Sequence, residues 1–199
     1  EAVTQLTTPV TALCYNLMLA RLIGDIGVAT FSVLSFIYSL ANAVLSGVAQ
    51  GLQPLWGQCC GRNDKEEMAW YFRCGLIVDL ILAVLIYAAL FFFNVPVIRI
   101  FNREPALIAE ASVALPVFAL SFIPMALNLI YTEYFFSTKR TGTANAIAVS
   151  RGIVVKALLI FCLPLLFGTK AIWLAPFVTE AVTLAAAIVL RKTSKLVYR

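Results

Sequence analysis

The feature that most constrains this chain is a run of 36 residues, Ile26 to Gly61, that contains no charged side chain. A helix needs about 20 mostly apolar residues to cross a bilayer, so this run is long enough to span one. The composition points the same way, because 62% of the 199 residues are hydrophobic and only 13% are charged. Soluble domains average about 45–50% apolar and about 25% charged residues. A globule of this size cannot bury so much apolar surface, so the sequence predicts an all-α integral membrane protein.

Charged residues and turn signals divide the chain into six predicted spans. They cover residues 2–20, 28–60, 66–93, 106–138, 143–167 and 171–190. We expect a short linker near residues 98–104, between the third and fourth spans. An even number of spans places both ends on the same side of the membrane. Because the chain starts with Glu1 and enters an apolar run at once, we also expect it to be a segment of a longer protein.

Basic residues predict which side of the membrane holds the two ends. Four lie near one side, namely Arg21, Arg99, Arg103 and Lys170. Nine lie near the other side, namely Arg62, Lys65, Arg73, Lys139, Arg140, Arg191, Lys192, Lys195 and Arg199. Basic residues accumulate in short cytoplasmic segments, so the side with nine is expected to be cytoplasmic. The net charge of +5 is therefore interpreted as loop charge and not as a surface for nucleic acid.

Four charged residues are expected near the centres of spans. Asp79 lies in the third span, Arg151 and Lys156 in the fifth, and Glu180 in the sixth. An ionised group at mid-bilayer costs about 2.5–3.5 kcal/mol on insertion scales, so such groups need a partner or water. Two interpretations stay open: an ion-pair network that holds these spans together, or a carboxylate in a water-filled cavity that binds a proton or cation. The two bases are about 140° apart around a helix, so they cannot both face one partner.

Further polar candidates lie in the second and fourth spans. Glu133 is six residues before Lys139, which places it about 9 Å from the cytoplasmic end of its helix. It is either an acid neutralised by the adjacent basic turn or a member of the charge network. Asn128 can coordinate a cation through its carbonyl oxygen. The residues assigned to a substrate or cation cavity are Gln50, Gln53, Asn128 and Tyr131.

The sequence argues against a catalytic centre. It contains no histidine, which excludes a Ser-His-Asp triad and a His-ligated zinc or haem site. Its five cysteines form no CxxC pair, and in an apolar chain an odd number indicates buried thiols. An intramembrane enzyme would need a nucleophile and base or an acidic pair such as DxxxD, and neither is found. We therefore expect no enzymatic activity, no metal site and no cofactor.

One stretch resembles a known family. Residues 29–73 read ATFSVLSFIYSLANAVLSGVAQGLQPLWGQCCGRNDKEEMAWYFR. This is similar to the eighth helix and the following cytoplasmic loop of multidrug and toxic compound extrusion (MATE) transporters. In that family the helix ends in a pattern of glycine, glutamine and proline, and a glycine-rich turn and a basic loop follow. The matching residues here are Gly47, Gln50, Gly51, Gln53, Pro54, Gln58, Gly61 and Arg62.

The resemblance implies both a fold and a function. MATE transporters have twelve helices in two six-helix lobes around a central cavity, so this chain would be the C-terminal lobe, helices seven to twelve. Its partners would be the other lobe and the lipid bilayer of the plasma membrane. The function implied is export of organic cations and other small amphipathic compounds, driven by inward flow of sodium ions or protons. Family coupling acids are common on the seventh helix, whereas the first span here has no acid after Glu1.

Two other functions stay open at this point. A related flippase for lipid-linked oligosaccharides shares the architecture and would need a wide cationic cavity for its phosphate-bearing cargo. A non-transporting membrane scaffold is the other alternative. A scaffold usually presents a surface outside the membrane, and the chain has no sizeable segment between its predicted spans.

Overall fold

Eight α-helices and one 3-10 helix lie in the part of the chain that the computed structural model describes. That part covers residues 2–138 and 155–196 of the backbone and 10–138 and 156–191 of the side chains. The helices are α1 (Ala2–Leu22), α2 (Asp25–Arg62), α3 (Lys65–Phe92), α4 (Asn94–Phe101), α5 (Pro105–Ala119), α6 (Phe122–Ser137), α7 (Val155–Phe167), the 3-10 helix Thr169–Leu174 and α8 (Ala175–Leu196). No strand occurs among these residues, and the predicted all-α fold is confirmed.

Three of these segments are long and apolar enough to cross a membrane. They are α2, α3, and the 3-10 helix together with α8 as far as Arg191. The pair α5 and α6 meets the same criterion as one broken segment, bent by 41°. Pro124 explains the break, because its ring clashes with the carbonyl of Leu120 and it has no N–H to offer that oxygen.

A second proline is accommodated by a side chain. Pro116 in α5 cannot donate a hydrogen bond to the carbonyl of Ser112. Asn94 Nδ2 donates to that oxygen at 3.4 Å and so connects the start of α4 to α5. The sequence predicts a linker near residues 98–104, but α4 continues to Phe101. Residues 98–101 of this linker are therefore helical, and the full burial of Ile98 stabilises this turn.

The turns between helices use residues suited to them. Gly24 separates α1 from α2 with φ +80°, and Gly168 precedes the 3-10 helix with φ +87°. Residues other than glycine rarely adopt such values. Asp64 caps α3, because its side chain accepts a hydrogen bond from the Glu67 amide at 3.0 Å. The α2–α3 turn is therefore short, and the two helices run antiparallel.

Helices α2, α3 and α6 pack on one another at the centre of the bundle, and α8 packs against α6. Large side chains such as Trp56, Phe72 and Phe122 are fully buried between them. The outer face of α3 is different, since apolar residues such as Ile77 and Leu85 are more than half exposed. In water such a surface would be unfavourable, whereas in a bilayer it contacts lipid. Polar residues on the inner faces are thus the ones placed to form a site.

Candidate functional site

Asp79 is a buried carboxylate in the middle of α3. Its side chain is 0% exposed, and neither carboxylate oxygen has a hydrogen-bond partner. Gly75, one turn earlier on the same face, lies against Leu52 of α2 and Ile130 of α6. Asp79 therefore faces the centre of the bundle and not the lipid. Within the described side chains, no base lies within salt-bridge distance of it.

Asn128 and Glu180 form a polar contact between α6 and α8. Asn128 Nδ2 donates to the backbone oxygen and to Oε2 of Glu180, both at 2.8 Å. The two side chains are 0% and 1% exposed. Side-chain amides in membrane helices commonly bond across to a neighbouring helix, because lipid offers no other partner. The structure thus joins a residue of the predicted cavity to one of the predicted charge network.

Gln53 and Glu133 form a second contact of this kind, between α2 and α6. Gln53 Nε2 donates a hydrogen bond to Glu133 Oε2. Next to this contact is an open cavity of about 370 Å³, lined by Gln53, Pro54, Phe136 and Ser137. It is a shallow depression that opens to the surface, and Gln53 connects it to the Glu133 carboxylate.

An aromatic cluster surrounds Arg191 near the end of α8. Its guanidinium carbon lies 3.5 Å from the ring centroid of Phe72, 5.4 Å from that of Tyr134 and 5.9 Å from that of Tyr131. The sequence predicts a cavity role for Tyr131 but counts Arg191 only among the cytoplasmic charges. The missed signal is the spacing of Tyr131 and Tyr134, which places two aromatic rings on one face of α6.

The remaining predicted site residues lie apart from these contacts. Lys156 is half-buried in α7, with its Nζ 5.6 Å from the ring centroid of Tyr38. It contacts no acid among the described side chains, so Asp79 and Lys156 are not paired with each other. Arg151 lies outside the described residues. Gln50 is exposed on α2.

One polar contact was not anticipated at all. Trp173 Nε1, in the 3-10 helix, donates to Glu110 Oε1 of α5 at 3.3 Å. Glu110 is an acid within an apolar span, as Asp79 is, but it is not among the predicted site residues. No group of three or more His, Cys, Asp or Glu side chains that suits a metal ion occurs in the described part of the chain.

Apolar helices that enclose buried carboxylates and amides define a multi-pass membrane protein with polar sites in its interior. The sequence profile of one family, MatE, matches residues 2–162. The chain belongs to the MatE family, and the resemblance expected from residues 29–73 is confirmed. Multidrug export protein MepA of Staphylococcus saprophyticus is 22% identical over 181 residues, which are 91% of this chain and 40% of that protein.

Solved structures share the fold. A crystal structure of MATE in complex with MaL6 has a TM-score of 0.90 at 13% identity, over 96% of this chain and 44% of that one. An outward-facing multidrug resistance MATE transporter of the MOP superfamily gives 0.89 at 14% identity, over 96% and 43%. A MOP superfamily transporter from Pyrococcus furiosus, whose binding pocket is described as having reverse polarity, gives 0.87 at 16%, again over 96% and 43%. The chain thus spans less than half the length of these proteins, as expected for one lobe.

Proposed function

We propose that this chain is the C-terminal lobe of a plasma-membrane transporter that exports organic cations and other amphipathic compounds in exchange for sodium ions or protons. Family membership and the similarity to a multidrug export protein support the transport activity. The distribution of basic residues supports a cytoplasmic position for both ends of the segment. The other lobe of the same transporter would complete the central cavity.

The main support for a coupling role is that the Asp79 carboxylate has neither a hydrogen-bond donor nor a counter-charge among the described side chains. An ionised carboxylate with neither a donor nor a counter-charge is costly inside an apolar bundle, and a bound proton or cation removes that cost. The free energy of the lobe would then depend on whether the ion is bound. An ion that binds one conformation more tightly than another shifts the populations of the inward-open and outward-open states.

The same geometry bears on the identity of the ion. A proton needs only the carboxylate itself. A sodium ion prefers several oxygen ligands, and it would take the others from neutral groups, because the described part of the chain holds no cluster of acidic side chains. Glu180 differs from Asp79 in having a hydrogen-bond donor, because its carboxylate accepts a hydrogen bond from Asn128.

The exposed face of α2 supports the proposal of a second lobe. Gly47, Gly51, Gly57 and Gly61 lie on α2 and are exposed. A Cβ atom added at any of these glycines would meet no atom within 4 Å. Small residues let two membrane helices approach closely, and helix association in lipid depends on such packing. This face is therefore open to a close neighbour in the membrane, as a second lobe would be.

The experiment uses the complete protein, as its gene encodes it, reconstituted in liposomes. Export of ethidium is driven by a proton gradient or by a sodium gradient, applied separately. Asp79→Asn keeps the size of the side chain but removes its ability to ionise, and we expect it to slow export at least tenfold. Glu66→Gln, the same chemical change in the exposed first turn of α3, is the control and should export at the wild-type rate. Unchanged export by Asp79→Asn at equal protein amount would refute the coupling role.

A further inference from the structure

We infer that Lys156 of α7, together with the hydroxyl group of Tyr15 on α1, forms a binding site for a monovalent organic anion. The ligand class is a carboxylate on an apolar or aromatic body. The site does not include Asp79, and the inference goes beyond the proposed function, because it depends neither on cation export nor on the coupling ion. Three observations support it, namely a base without an acidic partner, an unused buried hydroxyl and an aromatic wall.

Lys156 is a base in an apolar helix and has no acidic partner among the described side chains. It is half-buried, and its ammonium nitrogen lies 5.6 Å from the ring centroid of Tyr38 on α2. It makes no salt bridge with any described acid. An ammonium group has three donors and no acceptor, and an ionised group within a membrane span needs a partner or water. The position that water would take beside Lys156 is one that an anion can take instead.

The helices around Lys156 supply no carboxylate. Helix α7 packs on α1, and α1 packs on α2. The sequence has no Asp or Glu within residues 2–20, 26–61 or 143–167. The acids of α5 and α6, Glu110 and Glu133, each accept a hydrogen bond from another side chain. The surroundings of Lys156 therefore have a positive potential, which attracts an anion and repels a metal ion.

Tyr15 supplies a second donor at the same place. Its side chain is 2% exposed, and its hydroxyl has no hydrogen-bond partner. Its ring stacks on Phe31 with the centroids 4.5 Å apart, and Tyr38 is about two turns further along the same face of α2. Because side chains lean toward the N-terminus of their helix, the Tyr15 hydroxyl extends from Phe31 toward Tyr38, with which it interacts electrostatically. Lys156 and Tyr15 thus approach Tyr38 from two different helices.

Aromatic rings form the wall of this site. The ring centroids of Phe118 on α5 and Phe122 on α6 lie 6.2 Å and 6.0 Å from that of Tyr38, at interplanar angles of 76° and 56°. Such rings suit the apolar body of a ligand. One ammonium and one hydroxyl match the two oxygens of a carboxylate. A single described base balances one negative charge, so a monovalent carboxylate fits better than a doubly charged phosphate.

The experiment measures equilibrium binding of para-fluorobenzoate to the complete protein in nanodiscs of uncharged lipid, by fluorine NMR and without an ion gradient. Lys156→Met should raise the Kd at least about tenfold, which corresponds to one hydrogen bond to a charged group. Lys156→Arg keeps a cation and should stay within about threefold of wild type. Tyr15→Phe keeps the ring but removes the hydroxyl, so it should raise the Kd about two- to tenfold. Lys170→Met is the matched control, since it removes the same charge from an exposed residue, and its Kd should not change.

A second ligand separates recognition of charge from partition into the apolar bundle. para-Fluorobenzamide has the same shape without the charge, and it should bind wild-type protein at least about ten times more weakly. Equal affinity for the two compounds would overturn the inference, and this comparison needs no variant that has to fold. An unchanged Kd in Lys156→Met, or an equal loss in Lys170→Met, would also overturn it.

The absence of fluorobenzoate binding to wild-type protein would show that Lys156 is satisfied by the rest of the transporter and would refute the site. Export of ethidium by the same protein tests the proposed function separately. Export without fluorobenzoate binding would leave the proposed function standing and the anion site wrong. Binding that depends on Lys156 would support the anion site whether or not ethidium is exported.

Discussion

The contact between Asn128 and Glu180 should be a main stabilising link between α6 and α8. Its two hydrogen bonds, both 2.8 Å long, join buried groups that have no access to water in the described structure. We consider the substitution Asn128→Leu, which keeps the branched shape and the number of heavy atoms of the side chain. It removes the amide without opening a cavity, and its larger methyl groups add packing strain to the loss of the hydrogen bonds.

The magnitude follows from the environment of these bonds. Hydrogen bonds between membrane helices average about 0.6 kcal/mol and reach about 1.7 kcal/mol each. Two of them, one to a carboxylate oxygen, give about 1–3 kcal/mol. Leaving the buried Glu180 groups without this donor places the result in the upper part of that range. Asn128→Leu should therefore lower the free energy of unfolding by about 2–3 kcal/mol.

The assay is reversible unfolding of the complete protein in mixed micelles, followed by circular dichroism. Thr132→Val is the control on the same helix. Its hydroxyl donates to the Asn128 backbone oxygen at 2.8 Å within α6 and connects no second helix, so we expect a change below about 0.5 kcal/mol. Equal effects of Asn128→Leu and Thr132→Val would refute the reasoning, because they would show that the bonds to Glu180 contribute nothing.

Two further predictions concern packing and charge. Gly75→Ala places a Cβ atom 2.5 Å from Leu52 Cδ1, the end of a flexible side chain that has to move, whereas Gly47→Ala meets no atom within 4 Å. Both substitutions gain about 0.5–1 kcal/mol of helix propensity, so Gly75→Ala should be less stable than Gly47→Ala by about 1 kcal/mol. Denaturant unfolding of both variants checks this, and equal stability would contradict the packing of α3 on α2. Lys156→Met removes a cation 5.6 Å from the Tyr38 centroid and should cost about 0.5–1 kcal/mol. A thermal unfolding measurement that finds a loss of about 3–5 kcal/mol would instead indicate a buried ion pair.

Several properties of this protein follow from its sequence alone. The uncharged run after Asp25 determines a long apolar helix, and α2 indeed extends from Asp25 to Arg62. Hydropathy is a property of each segment by itself, and a segment of this kind needs no particular neighbour to be stable in lipid. The membrane class was therefore predictable, and the family followed from the resemblance of residues 29–73. Asp79 and Glu180 were also identifiable, since an acid within an apolar span is conspicuous wherever the helix packs.

Tertiary structure alone decided which polar groups meet. Asn128 bonds to Glu180, 52 residues away, and Gln53 bonds to Glu133, 80 residues away. These pairings depend on how each helix is rotated about its axis and on which helices are neighbours. A nearly uniform apolar sequence does not specify that rotation, because lipid accepts almost any apolar face. For the same reason the sequence assigned Arg191 to the solvent, whereas packing places its guanidinium on the ring of Phe72 and leaves Asp79 without a described partner.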